Sequence, residues 1–244
     1  MGAVASTIDA ANAIQTIAHS LKELNRVEEA ITVIDKAIDL LREGNYPFVV
    51  DTMRTKASWL NDLGRYEESI KAYSEIVAIN EIEGETEFVG RDLLSVTYNY
   101  WKLGKWVEVI EHASKAREKF KVAKMVDEVL WCDCYLANAY AELGNADFAL
   151  DFGQRAYELA ELRDHRPVKC NSAVALGKAD VLKAQFEKAE ERLLEARSIA
   201  QGSTDWETIT RIEKEFINLY LVQGKVGSAT EVERRLKSLQ EIVE

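Results

Sequence analysis

Apolar residues recur along this chain at spacings of three, four and seven, in blocks of about sixteen to twenty residues, each closed by a short polar or glycine-bearing break. That spacing puts them on one face of an α-helix. Only short stretches alternate apolar with polar residues, and few of those are β-branched, so almost no strand is expected. The breaks fall at Leu24-Asn25, Leu63-Gly64, Leu103-Gly104, Leu143-Gly144, Lys183-Ala184 and Gln223-Gly224. Their second residues are 39, 40, 40, 40 and 40 apart. A period in this range, held over the whole sequence, is the signature of a stacked array.

The flanks repeat with the breaks. Two residues after each comes a bulky or apolar group: Val27, Tyr66, Trp106, Ala146, Phe186, Val226. Five after come Ala30, Ser69, Val109, Ala149, Ala189 and Ala229, and twelve after come Ala37, Ile76, Ala116, Ala156, Ala196 and Leu236. Seven before stand Ala18, Ala57, Thr97, Ala137, Gly177 and Ile217, mostly small enough for two helices to approach closely. Four before stand Leu21, Leu60, Tyr100, Tyr140, Asp180 and Tyr220. The pattern predicts an all-α fold of about six helix pairs: units at approximately 6–43, 47–82, 86–120, 124–161, 167–200 and 204–243, in a single domain over 1–244. Pro47 and Pro167 suit first helical turns, Gly44 and Gly84 suit C-terminal caps, and Thr204 with Glu207 reads as a capping box. The junction near Lys121 has no breaker and rests on the period alone.

A small residue, an aromatic, a Leu-Gly turn, Tyr, Glu-Glu and another small residue make up a pattern that resembles the tetratricopeptide repeat. Leu63-Gly64-Arg65-Tyr66-Glu67-Glu68-Ser69-Ile70 is the best local match, with Tyr140-Ala141-Glu142-Leu143-Gly144-Asn145 behind it. The resemblance covers almost the whole chain. It departs from the standard pattern in its period of 40, its few inter-repeat prolines, and Asp180 and Lys183 in normally apolar places, which mark the fifth unit as a looser hinge or as the site of an internal hydrogen bond. The longer period is similar to arrays in peptide-pheromone receptors, MalT-like regulators and Leu-Gly-Asn scaffolds. The resemblance implies a right-handed α-solenoid superhelix whose concave wall, built from the first helix of each pair, takes the ligand.

Carried onto this sequence, the ligand stripe lies 13, 10, 6 and 3 residues before each break. It reads Asn12, Gln15, His19, Lys22; Asp51, Arg54, Ser58, Asn61; Arg91, Leu94, Tyr98, Trp101; Trp131, Cys134, Asn138, Ala141; Asn171, Val174, Lys178, Val181; Arg211, Lys214, Asn218, Leu221. The binding candidates among these are Arg54, Asn61, Arg91, Tyr98, Trp101, Trp131, Asn138, Asn171, Lys178, Arg211, Lys214 and Asn218. Arginine and aromatic side chains are the usual anchors of interfaces, and asparagine bonds a peptide backbone through donor and acceptor alike. The stripe holds seven basic residues, His19 counted, against one acidic, in a chain of net charge -11. That reversal predicts a peptide of acidic character. Lys214 and Asn218 have the spacing of a carboxylate clamp, but no repeat follows to complete one.

The negative charge argues against nucleic acid as a partner. No apolar run reaches the length of a membrane span. Cys132, Cys134 and Cys170 form no disulfide framework, which fits a reducing, cytoplasmic setting. Met1-Gly2-Ala3-Val4-Ala5-Ser6 satisfies the pattern for lipidation at Gly2, a short motif with no polybasic patch behind it. His19, His112 and His165 lie in different units, and there is no phosphate-cradling glycine loop. The expectation is therefore no catalysis, no cofactor and no metal. Three functions remain open: a scaffold or adaptor that binds a partner protein or peptide, a peptide or small-ligand sensor acting with a separate effector chain, and a regulatory subunit of an enzyme. Ala3, Val4, Ala5, Ala10, Ala11, Ala13, Ile14 and Ile17 make the first helix apolar on more than one face, which predicts a homodimer through the N-terminal helix pair.

Overall fold

A computed structural model describes residues 2–46, 48–202 and 205–241. They form twelve helices: α1 (Gly2–Glu23), α2 (Val27–Glu43), α3 (Val49–Asp62), α4 (Tyr66–Glu83), α5 (Thr86–Lys102), α6 (Trp106–Ala123), α7 (Val126–Glu142), α8 (Ala146–Leu162), α9 (Arg166–Leu182), α10 (Phe186–Ala200), α11 (Trp206–Val222) and α12 (Val226–Gln240). No strand occurs among the described residues. Every even-numbered helix starts two residues after a break, and α5, α7, α9 and α11 each run from 18 to 2 residues before one.

The breaks share one hydrogen-bond plan. The residue at each break has positive φ: Asn25 (60°), Gly64 (72°), Gly104 (66°), Gly144 (76°), Ala184 (57°) and Gly224 (72°). The amide after it donates back to the carbonyl four before the break, as from Arg26 to Leu21, Arg65 to Leu60, Lys105 to Tyr100, Asn145 to Tyr140, Gln185 to Asp180 and Lys225 to Tyr220, at 2.8–3.0 Å. This is the Schellman closure, which satisfies carbonyls that a helix end would otherwise leave orphaned. Two of the six positions, Asn25 and Ala184, use a non-glycine residue in the left-handed region.

The reverse connections use the left-handed region as well, at Asn45, Gly84, Lys124, Asp164 and Gly202. Gly84 caps α4 in that conformation, as expected, whereas Gly44 stays right-handed (φ -86°) and hands the turn to Asn45. The junction near Lys121, which lacks a sequence breaker, closes through Lys124 at φ 58°. Pro167 lies in the first turn of α9. Pro47 and Thr204 lie outside the described residues; α11 is capped by Asp205, whose carboxylate accepts from the Thr208 amide at 3.1 Å.

The chain divides into two compact units. The first comprises residues 1–105 and 118–123, so it holds α1 to α5 and the last turns of α6. Its consecutive helices pack on one another from α1 to α5. One core cluster joins Ala18, Ala30, Ile31, Ile34, Trp59 and Leu60; another joins Ile38, Val50, Met53, Ala57, Ile70, Tyr73, Ile76 and Val96. Ser69, fully buried, donates to the Ala57 carbonyl at 2.8 Å and accepts from the Asn99 amide at 2.9 Å. Gly90 is required in α5, because a Cβ there would stand 2.8 Å from the Phe120 ring.

The second unit comprises residues 106–117 and 124–244. Helices α7 to α12 pack in sequence, and α9 also lies against both α7 and α11. Its largest cluster includes Cys170, Ala173, Val174, Leu193, Ala196, Ile212, Phe216, Leu219 and Val232. Helix α9 is covered on nearly all sides, which gives Asp180 its environment: the carboxylate is fully buried, 2.8 Å from Arg192 Nε and 3.5 Å from Lys188 Nζ. Asp180 is thus buried beside charge partners instead of in the internal hydrogen bond expected of it, since neither carboxylate oxygen has a hydrogen-bond partner among the described residues. Lys183 is partly exposed at the turn, 2.5 Å from Asp147.

Candidate functional site

The face to consider in each unit is that of the odd-numbered helices, where the stripe lies. In the first unit, Arg54 on α3 is held rather than presented. Its Nε and Nη2 donate to the Asp92 carboxylate of α5 at 2.8 and 3.1 Å, and its Nη1 to Asp51 at 2.8 Å. Asp92 is buried and also accepts from the Asn80 amide at 2.8 Å. These hydrogen bonds, Asp92 first, raise the Arg54 pKa above the ordinary arginine value. The guanidinium lies 5.4 Å above the Phe88 ring.

Further along this face, Tyr98 and Trp101 stack with ring centroids 6.2 Å apart, and the Lys102 ammonium lies 5.7 and 5.9 Å from them. The result is an aromatic platform with a cation at its edge. Arg91 is exposed and meets Glu87 at 3.0 Å, one turn away on the same helix. Asn61 is half-buried near the end of α3. Lys22 reaches Asp62 at 2.8 Å, and His19 stands edge-on to Trp59.

In the second unit, Trp131 packs half-buried against the core and edge-on to the His165 ring, with centroids 5.5 Å apart. Asn138 is buried, and its amide donates to the Cys134 carbonyl of its own helix at 2.8 Å. Cys134, Ala141, Val174 and Val181 are buried too, because α7, α9 and α11 close over that part of the stripe. Asn171 donates to the Pro167 carbonyl at 3.0 Å and accepts from Arg211. Lys178 bridges three helices, 2.6 Å from Glu142 of α7 and 3.3 Å from Glu215 of α11. Burial pushes the Glu215 carboxyl up, against the pull of Lys178. Lys214 and Asn218 are exposed on α11.

The charge reversal drawn from the stripe therefore needs correcting. Asp62, Asp92, Glu142 and Glu215 lie outside the offsets counted but hold Lys22, Arg54 and Lys178. In the second unit Tyr135, Glu142 and Leu182, each one residue beyond a buried stripe position (Cys134, Ala141, Val181), are partly or fully exposed, whereas Asn138, Ala175 and Glu215 are buried. That difference was not legible in the sequence, because it depends on how closely α7, α9 and α11 approach. Among the described residues no group of three or more His, Cys, Asp or Glu side chains could hold a metal ion. All three cysteines are buried, and burial pushes the Cys134 and Cys170 thiols up to about 11.

Residues 127–202 match the tetratricopeptide repeat family. Three solved structures share the fold. A signal transduction ATPase with a tetratricopeptide repeat sensor, from Pyrococcus horikoshii, aligns over 97% of this chain and 38% of its own, at 18% identity and a TM-score of 0.75. A tetratricopeptide repeat protein from Parabacteroides merdae aligns over 94% and 80%, at 13% identity and 0.69. Aspartyl phosphate phosphatase F from Bacillus subtilis aligns over 96% and 60%, at 13% identity and 0.68. No curated protein matches the chain. The protein is an all-α helix-hairpin array with the tetratricopeptide-repeat fold, an architecture suited to binding proteins over extended surfaces. No described helix is long and apolar enough to cross a membrane.

Proposed function

We propose that this protein is an adaptor that holds a peptide segment or partner protein on its odd-numbered helices. The observation that supports this most is the Tyr98–Trp101 stack with Lys102 at its edge, a flat aromatic surface on the helix that also carries the exposed Arg91. Rigid aromatics beside arginine are what interface hot spots are made of. The partner's acidic character is retained in a narrower form: the exposed Arg91 in the first unit and the exposed Lys214 in the second, each in its own unit, supply the attraction instead of Arg54 and Lys178. An exposed pair such as Arg91–Glu87 contributes at most about 1 kcal/mol and yields readily to a partner's carboxylate.

The test is affinity capture from native extract at low and raised salt, with Trp101→Ala and the double variant Arg91→Glu/Lys214→Glu as controls. The expected partner is retained at low salt and lost in both variants, with the charge variant mimicking raised salt. A partner indifferent to all three changes would overturn the assignment of the face. A second reading, a ligand sensor acting on a separate effector chain, draws on the sensor role printed for the Pyrococcus array. Homodimerisation through α1 and α2 rests on Ile17, which is exposed; an Ile17→Asp variant that leaves the mass by light scattering unchanged would remove it.

A further inference from the structure

The second unit contains one side-chain constellation twice. Arg117 and Arg155 flank the carboxylate of Asp133, with Nε–O distances of 2.5 and 3.7 Å. Two repeat periods later, at 197, 213 and 235, stand Arg197, Glu213 and Arg235. Arg197 grips Glu213 with both arms, at 2.9 and 2.8 Å, its guanidinium 3.7 Å over the Phe216 ring, and Arg235 of α12 reaches the same carboxylate. Glu213 is almost entirely buried.

The two copies differ in ion pairing and in helix length. In the first, Arg155 has a second carboxylate, Asp151, at 2.9 Å, so two arginines meet two acids. In the second, the corresponding Glu231 pairs with Arg234 instead. Arg197 and Arg235 then share Glu213 as their ion-pair partner. Helix α10 has 15 residues where α6 has 18 and α8 has 17. Beside the arginines, next to the end of α10, lies a cleft of about 650 Å³ walled by Leu194, Ile209 and Ile212. That volume is in the range of small-ligand sites, which are typically apolar with a few convergent polar groups.

We propose that this cleft binds a carboxylate carried on a compact apolar body, with the carboxylate on Arg235 and the apolar part against Leu194, Ile209 and Ile212. A second anion takes the place beside Arg235 that Asp151 holds beside Arg155 in the first copy, and guanidinium–carboxylate pairing is the strong, directional form of that contact. The site belongs to α10, α11 and α12, and it stands or falls independently of the face assigned above.

Calorimetric titration of the full chain tests it with octanoate, octan-1-ol, and acetyl-Gly-Leu bearing either a free carboxylate or a terminal amide. Octanoate is expected to bind saturably, octan-1-ol at least tenfold more weakly. Arg235→Gln and Leu194→Gln, both at partly exposed positions, should each weaken octanoate at least tenfold without changing the circular dichroism. Tighter binding of free-acid acetyl-Gly-Leu than of octanoate would support the same chemistry and assign it to a peptide C-terminus. Absence of binding by either acid, equal binding of octan-1-ol, or an unchanged affinity in Arg235→Gln would overturn the proposal.

Discussion

Replacing Ala184 by glycine should stabilise this protein, although it removes a methyl group from a helical chain. Ala184 occupies the break position of the fifth pair at φ 57°, where four of the other five breaks use glycine and the remaining one asparagine. An L-residue with a Cβ in the left-handed region costs about 1–2 kcal/mol. Glycine removes that strain but gives the unfolded chain more freedom, which costs about 0.4–1 kcal/mol. The net expectation is a gain of about 0.5–1 kcal/mol, or about 1–4 °C in Tm for a chain of this size. The reciprocal change, Gly144→Ala, should lose about 1 kcal/mol from conformation alone, since nothing lies within 4 Å of the added Cβ. Urea denaturation of wild type and both variants measures the pair, and hydrogen exchange at the Gln185 amide, which closes the Ala184 turn at 2.9 Å, reports on it locally. If Ala184→Gly proves neutral or destabilising while Gly144→Ala costs stability as expected, the reasoning from the shared turn geometry is refuted.

Two further outcomes follow from the buried charges and thiols. Arg54→Met should cost about 3 kcal/mol in a urea melt, because it strips the buried Asp92 of a two-armed partner and leaves only the Asn80 amide; a loss below about 1 kcal/mol would show that Asp92 is hydrated. The three cysteines should react with a thiol reagent at pH 8 only after unfolding, since all are buried and burial holds Cys134 and Cys170 near 11. Rapid labelling of the folded protein would contradict that burial.

The period of 40 marks the turns that follow the first helix of each pair for a physical reason. A Schellman turn needs a residue that accepts positive φ, so its sequence mark, most often Leu-Gly, stands at the same place in each pair. The same recurrence let Lys183-Ala184 be read as a break despite the absence of glycine. The junction near Lys121, where no residue preference marks the turn, rests on the period alone, and the turn itself falls at Lys124. The small residues five after and seven before each break are almost all buried, as close helix approach requires.

The candidate binding face was legible only in outline. Position in the repeat indicates which helices line it, but not which side chains remain available, because that depends on groups 37 to 40 residues away in sequence. Asp92 lies 38 residues from Arg54, Glu215 37 from Lys178, and Arg211 40 from Asn171. Each falls one repeat further on, outside any local pattern. Asn138 shows the other limit: a polar residue at a binding offset becomes a buried one when neighbouring helices close over it and its own helix offers a carbonyl. Sequence alone determined the helices, their turns and their pairing order, since these are local and periodic. The net charge of each surface, and the cleft among α10, α11 and α12, were decided by the tertiary structure, because a charge is neutralised and a void is filled only by what packing brings alongside.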